Sequence, residues 1–211
     1  IYNCTCEGCT ATKKELDYSN VKTAEISKDA LSGSELKLKT ASIALDQDTL
    51  GGLGDSVEIT ADTVDKNSLS ITEELKPVYD FSMQSNGSPV SNFGGTVKIR
   101  VPYELADGED PDSIAILYIN DQGEVEKIKA KYINGEAEFE TTHFSYYTVT
   151  RLTPQERCAL YDHIITETEV KPTCTTQGYK ITVCTRCGKY EKVYTPALGH
   201  DFEETDRTEA T

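Results

Sequence analysis

The sequence predicts an all-β protein, an antiparallel β-sandwich followed by a small cysteine-rich β-hairpin module. Short alternating apolar and polar runs recur between Gly, Asn and Asp turns, and hardly any stretch carries the 3.6-residue apolar period of a helix. After Leu152 the composition shifts toward cysteine and polar residues. With 211 residues, the division that follows is 1–11 as a Cys-rich segment, 12–152 as the sandwich, 153–167 as a connector and 168–211 as the hairpin module.

Cys4, Cys6 and Cys9 open the chain in a CxCxxC cluster too dense for core packing alone; metal ligation, disulfides and free thiols are all open there. Val21 to Ile26 reads as a strand, and Ser27 is placed to cap a single helical turn ending at Leu31. Glu35 to Leu38 and Ala41 to Leu45 form a hairpin, with Leu36 and Leu38 on the buried face and Lys37 and Lys39 on the wet one. Asp46 to Leu50 is a short turn. The glycines of Gly51-Gly52-Leu53-Gly54 precede no helix and so lack the context of a phosphate cradle.

Val57 to Val64 and Val78 to Met83 are the next strands, followed by the Asn86-Gly87 turn, where positive φ costs little. Gly95 to Val101 and Ile114 to Ile119 are the strongest strands, the second almost wholly apolar and therefore central. Asn120 to Gly123 turns it into Glu124 to Ala130. Gly135 to Val149 is then expected as one final strand, making the last three strands a meander. That strand places Ala137, Phe139 and Thr141 on one face, Glu138 and Glu140 on the other, and runs into His143-Phe144-Ser145, where a base, a bulky apolar residue and a hydroxyl stand side by side. Two readings follow: Phe144 fills the core of an ordinary strand, or the three residues react.

A formal net charge of -15 opposes nucleic acid and anionic membrane, which need a basic footprint. No apolar run approaches the ~20 residues that span a bilayer. Ile1 without a preceding Met is expected of a piece cut from a longer chain, so targeting signals are not readable here. Asp107-Gly108-Glu109-Asp110-Pro111-Asp112 is the candidate loop for calcium, which takes several converging oxygens. Tyr118, Tyr132, Tyr146 and Tyr147 raise carbohydrate binding as a third class of function, which the absence of Trp weakens.

The stretches KPVYDFSM, SNFGGTVKIRVPYELADGEDPDSIAILYINDQGEVEKI and FETTHFSYYTV resemble a β module of multidomain surface proteins of Gram-positive gut bacteria, over residues 20–151. The ending HFSxYxV also resembles the ZU5-type β-sandwich, some members of which cut their own chain at His-Phe-Ser. That likeness implies cleavage between Phe144 and Ser145: the Ser145 hydroxyl attacks the Phe144 carbonyl, His143 takes its proton, and the resulting ester is hydrolysed.

In the C-terminal part, Thr153-Pro154-Gln155-Glu156 starts with a capped turn. Gly178 to Val183 and Lys189 to Thr195 read as strands around Cys184-Thr185-Arg186-Cys187-Gly188, a CxxCG that matches a zinc knuckle. The pattern PTCT…CxxCG…PALGH over residues 163–202 resembles a short repeat of bacterial surface proteins, which implies a stalk or spacer module. Tetrahedral zinc needs four ligands: Cys184 and Cys187, then Cys174, with His200 or His163 as the fourth. The rival is a disulfide arrangement, Cys158 to Cys174 or Cys184 to Cys187. With so few apolar residues the module needs one staple or the other.

The expected function is therefore a non-catalytic extracellular display, spacer or adhesion region at a bacterial cell surface. Its expected partners are neighbouring modules of the same chain and a host or dietary glycan or protein. Self-cleavage and carbohydrate binding are the alternatives.

Overall fold

The long strands of the larger unit follow the alternation just described, with one face of each on a shared apolar layer. The computed structural model describes residues 2–3, 12–65, 76–120 and 122–201; Cys4, Cys6 and Cys9 lie outside them. The chain divides into two compact units, residues 1–153 and 154–211.

In the first unit the strands are β1 (Tyr2–Asn3), β2 (Thr12–Asp17), β3 (Thr23–Ser27), β4 (Ser34–Lys37), β5 (Ser42–Leu45), β6 (Ser56–Val64) and β7 (Lys76–Ser85). They continue as β8 (Ser88–Pro89), β9 (Asn92–Pro102), β10 (Ile114–Ile119), β11 (Val125–Lys129), β12 (Lys131–Ile133), β13 (Glu136–His143) and β14 (Tyr146–Arg151). Two short helices interrupt them, α1 (Lys28–Leu31), capped by Ser27, and α2 (Gln47–Gly51), capped by Asp46.

One sheet runs β1-β2-β4-β5-β9-β13-β12 and the other β11-β10-β14-β7-β6-β3, with β8 on β7. Pairing is antiparallel except between β2 and β4. Leu36, Ile43, Ile99, Val101 and Phe139 of the first sheet bury against Ile26, Ile59, Phe81, Ile116 and Tyr147 of the second in one core. The fold is thus an all-β sandwich. Strand β10 lies between β11 and β14 and buries residues of both parities, with Leu117 and Ile119 in a second small cluster with Val78.

The expected meander is not what forms. The chain leaves one sheet after β11, adds β12 and β13 to the other, and returns at Phe144-Ser145 to enter β14 between β10 and β7. Gly135 to Val149 is therefore two strands in two sheets. A β-bulge lies between Thr141 and His143, and Phe144, at an even position, turns into the core against Phe81 and Phe93. The Thr141 hydroxyl and the Tyr147 phenol both donate to the His143 carbonyl, at 2.9 and 2.7 Å. This hydroxyl pair replaces the ladder partner that the crossing removes.

The candidate calcium loop is folded on itself. The Glu109 carboxylate accepts from the Tyr103 phenol and the Ala106 amide and pairs with Arg151, while Asp110 caps the turn at Asp112. Among the described residues these carboxylates form no group able to share an ion.

In the second unit, α3 (Pro154–Tyr161) precedes a three-stranded antiparallel sheet ordered β15 (Ile165–Val170), β16 (Gly178–Cys184) and β17 (Tyr190–Thr195). The expected hairpin thus gains a third strand from the stretch read as a connector. Ile165–Val170, ITETEV, is exposed at every position, so it carries little of the apolar signal by which strands are recognised.

Removing the hydroxyl in Tyr147→Phe should cost about 1–2 kcal/mol, because the His143 carbonyl then keeps only the Thr141 hydroxyl of the pair, and Phe139→Ala about 3–5 kcal/mol. Val125→Ala, at a half-exposed edge, should stay within about 0.5 kcal/mol; denaturant titration of the three variants checks the order. Asp46 accepts from the amides of Thr49 and Thr96, which hold its carboxyl below the usual range. A depressed folded value stabilises above the unfolded pKa of about 3.9 and is lost as pH falls through the folded one, so Asp46→Asn should flatten the acid limb of stability measured below about pH 4.

Candidate metal centre and the sheet-crossing corner

The knuckle in the second unit is built by backbone geometry. The Gly188 amide donates to the Cys184 carbonyl (2.9 Å), the Cys184 amide to Lys189 (2.8 Å), and Gly188 takes φ of 73° to close the turn. The Thr185 amide then reaches the Ile164 carbonyl (3.0 Å) and Arg186 Nη1 the Asp162 carbonyl (3.0 Å), which tie the turn to the segment carrying His163. Helix α3 presents Cys158 to the same place, and Asp162, at φ of 70°, reverses the chain between them.

The result is a group of four donors, Cys158, His163, Cys184 and Cys187, whose ligand atoms all lie within 4.8 Å of one another, a group that could hold a metal ion. Cys158 Sγ stands 3.5 Å from Cys184 Sγ, and Cys187 Sγ 3.4 Å from His163 Nδ1. Tetrahedral zinc, with Zn–S of about 2.3 Å and Zn–N of about 2.0–2.1 Å, separates two thiolates by about 3.8 Å and a thiolate from an imidazole by about 3.6 Å. Three sulfurs and one imidazole at these spacings are compatible with zinc.

Electrostatics within the group divide the thiols. Burial pushes Cys184 up, but the Cys187 amide, the His163 ring and the Arg186 amide outweigh it and carry the thiol well below its ordinary value. Burial and then the neighbouring cysteines push Cys158 the other way. The group thus favours one thiolate first, the form that binds metal.

Of the ligands expected from sequence, the structure brings together Cys184, Cys187 and His163. Cys174 and His200 are exposed and outside the group; the Gly199 amide donates to the Cys174 carbonyl (3.0 Å), closing the far end of the sheet. Cys158 takes the position given to Cys174. The four described cysteines, Cys158, Cys174, Cys184 and Cys187, are free thiols, so neither expected disulfide pair is formed.

His143, Phe144 and Ser145 occupy the crossing between β13 and β14. Phe144 is core, as the simpler reading expected. The Ser145 hydroxyl donates to the Ile119 carbonyl at 3.0 Å, and its own carbonyl accepts from Phe81 (3.1 Å). The His143 ring packs edge-on against Tyr118, and its buried Nε2 has no hydrogen-bond partner. Imidazole and hydroxyl are therefore near in sequence without being bonded. Tyr118, Tyr132 and Tyr147 pack against the sandwich core, and Tyr146 against the small cluster behind β10, so the four tyrosines form no common platform.

No protein-family model matches the chain.

Cobalt titration of the reduced protein should give one thiolate-to-metal charge-transfer band that saturates at a single ion per chain. Cys158→Ser and Cys187→Ser should weaken binding about tenfold or more, and Cys174→Ser and His200→Ala should leave it unchanged; the reverse pattern would return the site to the ligands expected from sequence.

Proposed function

We propose that residues 154–211 are a zinc-stapled structural module, and that the chain as a whole is a display or spacer region of an extracellular bacterial surface protein. The observation that carries the reading is the composition of the module's interior. Among its described residues the only buried side chains are those of Cys158 and Cys184, while β15 and β17 are exposed throughout. Burial of apolar area offers such a sheet almost nothing, so the free energy that orders it has to come from ligation. Zinc supplies a redox-inert tetrahedral centre with every position taken by protein, the arrangement of a structural rather than a catalytic site. The surface role is supported by the acidic sandwich and by the resemblance of the PTCT…CxxCG…PALGH pattern to repeats of surface proteins.

Chelator should unfold the second unit alone: amide signals of residues 154–201 collapse, and zinc restores them, while the thermal transition of the sandwich keeps its midpoint. Retention of the β15–β17 signals in metal-free protein would overturn the staple.

Self-cleavage at Phe144–Ser145 is the second reading, favoured by the unpartnered His143 Nε2 one residue from the hydroxyl. It requires the Ser145 hydroxyl to exchange the Ile119 carbonyl for that nitrogen. Denaturing electrophoresis decides: two fragments that disappear in Ser145→Ala would support it, and a single band after prolonged incubation would dismiss it.

A further inference from the structure

The crossing leaves an opening at one end of the sandwich. Between the middle of β7, the ends of β10 and β13 and the starts of β9 and β14 lies a cavity of about 430 Å³, within the usual range of about 300–1,000 Å³ for small-molecule sites. Its walls carry Asp80, Asn92, Tyr118, Gln122 and the His143-Phe144-Ser145 corner.

Asp80 is the group in this wall that lacks what it needs. Burial, and after it the Asp62 carboxylate paired opposite across β6 and β7, raise its affinity for protons. Asp62 has its own cation in Lys22, at 2.6 Å, and no donor within the described protein does the same for Asp80. Asn120, by contrast, is spent: its carbonyl oxygen accepts from the amides of Gln122 and Glu124 and its amide donates to the Glu124 carboxylate, which fixes the turn that presents Gln122.

We propose that this cavity binds a neutral polyhydroxylated ligand, a sugar unit, with the Asp80 carboxylate and the amides of Asn92 and Gln122 holding its hydroxyls beside the ring of Tyr146, which shares the face of Asp80. The choice follows from the donor and acceptor inventory. An anion meets Asp80 in a chain of net charge -15, with no Lys or Arg among the described residues of the wall. An organic ammonium satisfies Asp80 but has no acceptor for the amide and phenol donors. A hydroxyl donates to the carboxylate and accepts from an amide at once, and the C–H face of a sugar ring matches an aromatic side chain. The site is independent of the metal group, which belongs to the other unit.

The test uses the full zinc-loaded chain, isotopically labelled, titrated separately with methyl β-galactoside, methyl α-mannoside, N-acetylglucosamine and n-butylammonium. The expected result is a saturable shift of amides around residues 80, 92, 118–122 and 143–146 with at least one of the sugars, weakened about tenfold in both Asp80→Asn and Asn92→Ala. Asp80→Asn removes the charge opposed by Asp62 and should keep or raise the melting temperature. Asn92 is exposed, so its variant keeps the test open if the first fails to fold. The proposal is overturned by the absence of localised shifts with every sugar, by shifts that both variants leave intact, or by tighter binding of n-butylammonium at the same amides.

Discussion

A sheet of three strands with almost nothing buried has to be ordered by something other than the hydrophobic effect, and in the second unit that constraint falls on four side chains. Cys158 and Cys184 are what the module has in place of a core, with His163 and Cys187 completing the group at its rim. The local hydrogen bonds hold the module at both ends. Those from Thr185 and Arg186 fix the knuckle to the segment of His163, and those from Leu198 and Gly199 to Thr173 and Cys174 hold the opposite end of the sheet. Gly178 lets the Val170–Pro172 backbone lie against β16, where a Cβ would come within 2.5 Å of the Val170 carbonyl oxygen. Exposed apolar groups elsewhere are held by lateral contacts, such as Lys192 over the rings of Tyr179 and Tyr194.

The sandwich answers to the opposite constraint. It has apolar area in plenty, and the demand falls on the backbone wherever the chain changes sheet. At the crossing into β14 the His143 carbonyl would be left in a low-dielectric interior without a strand partner; Thr141 and Tyr147 supply it from side chains. The buried Glu35 is met in the same way by Arg100 of β9, and Glu109 by Tyr103 and Arg151. Glu35 thus fastens one strand to another, and Glu109 a loop to the end of β14.

The strands and the fold class were legible because alternation survives in the residues themselves: Ile114–Ile119 begins and ends where its apolar run does, and Ser27 and Asp46 cap the two helices from their own side chains. The crossing was not, for a definite reason. Phe139, Thr141, Tyr147 and Val149 keep the same parity on both sides of it, so the pattern reads as one unbroken strand. Only Phe144, apolar at the wrong parity, marks the break, and a bulge absorbs the mismatch. The candidate metal ligands were partly legible for a similar reason. CxxCG is a local motif with its own turn, and it named Cys184 and Cys187. Choosing Cys158 over Cys174 depends on which way the chain reverses after α3, and an Asp at positive φ leaves little trace in sequence.

The position of β14 also governs how the sandwich transmits force. Its last residue, Arg151, lies at the end of a strand hydrogen-bonded on one side to β10 and on the other to β7, so a pull on the chain there runs along both ladders at once. Ladder bonds lie across the strand direction, so a pull along β14 loads them in shear and they share the tension, unlike those of an edge strand peeled one at a time. Under a pull directed along β14, two ladders rather than one hold the end of this strand.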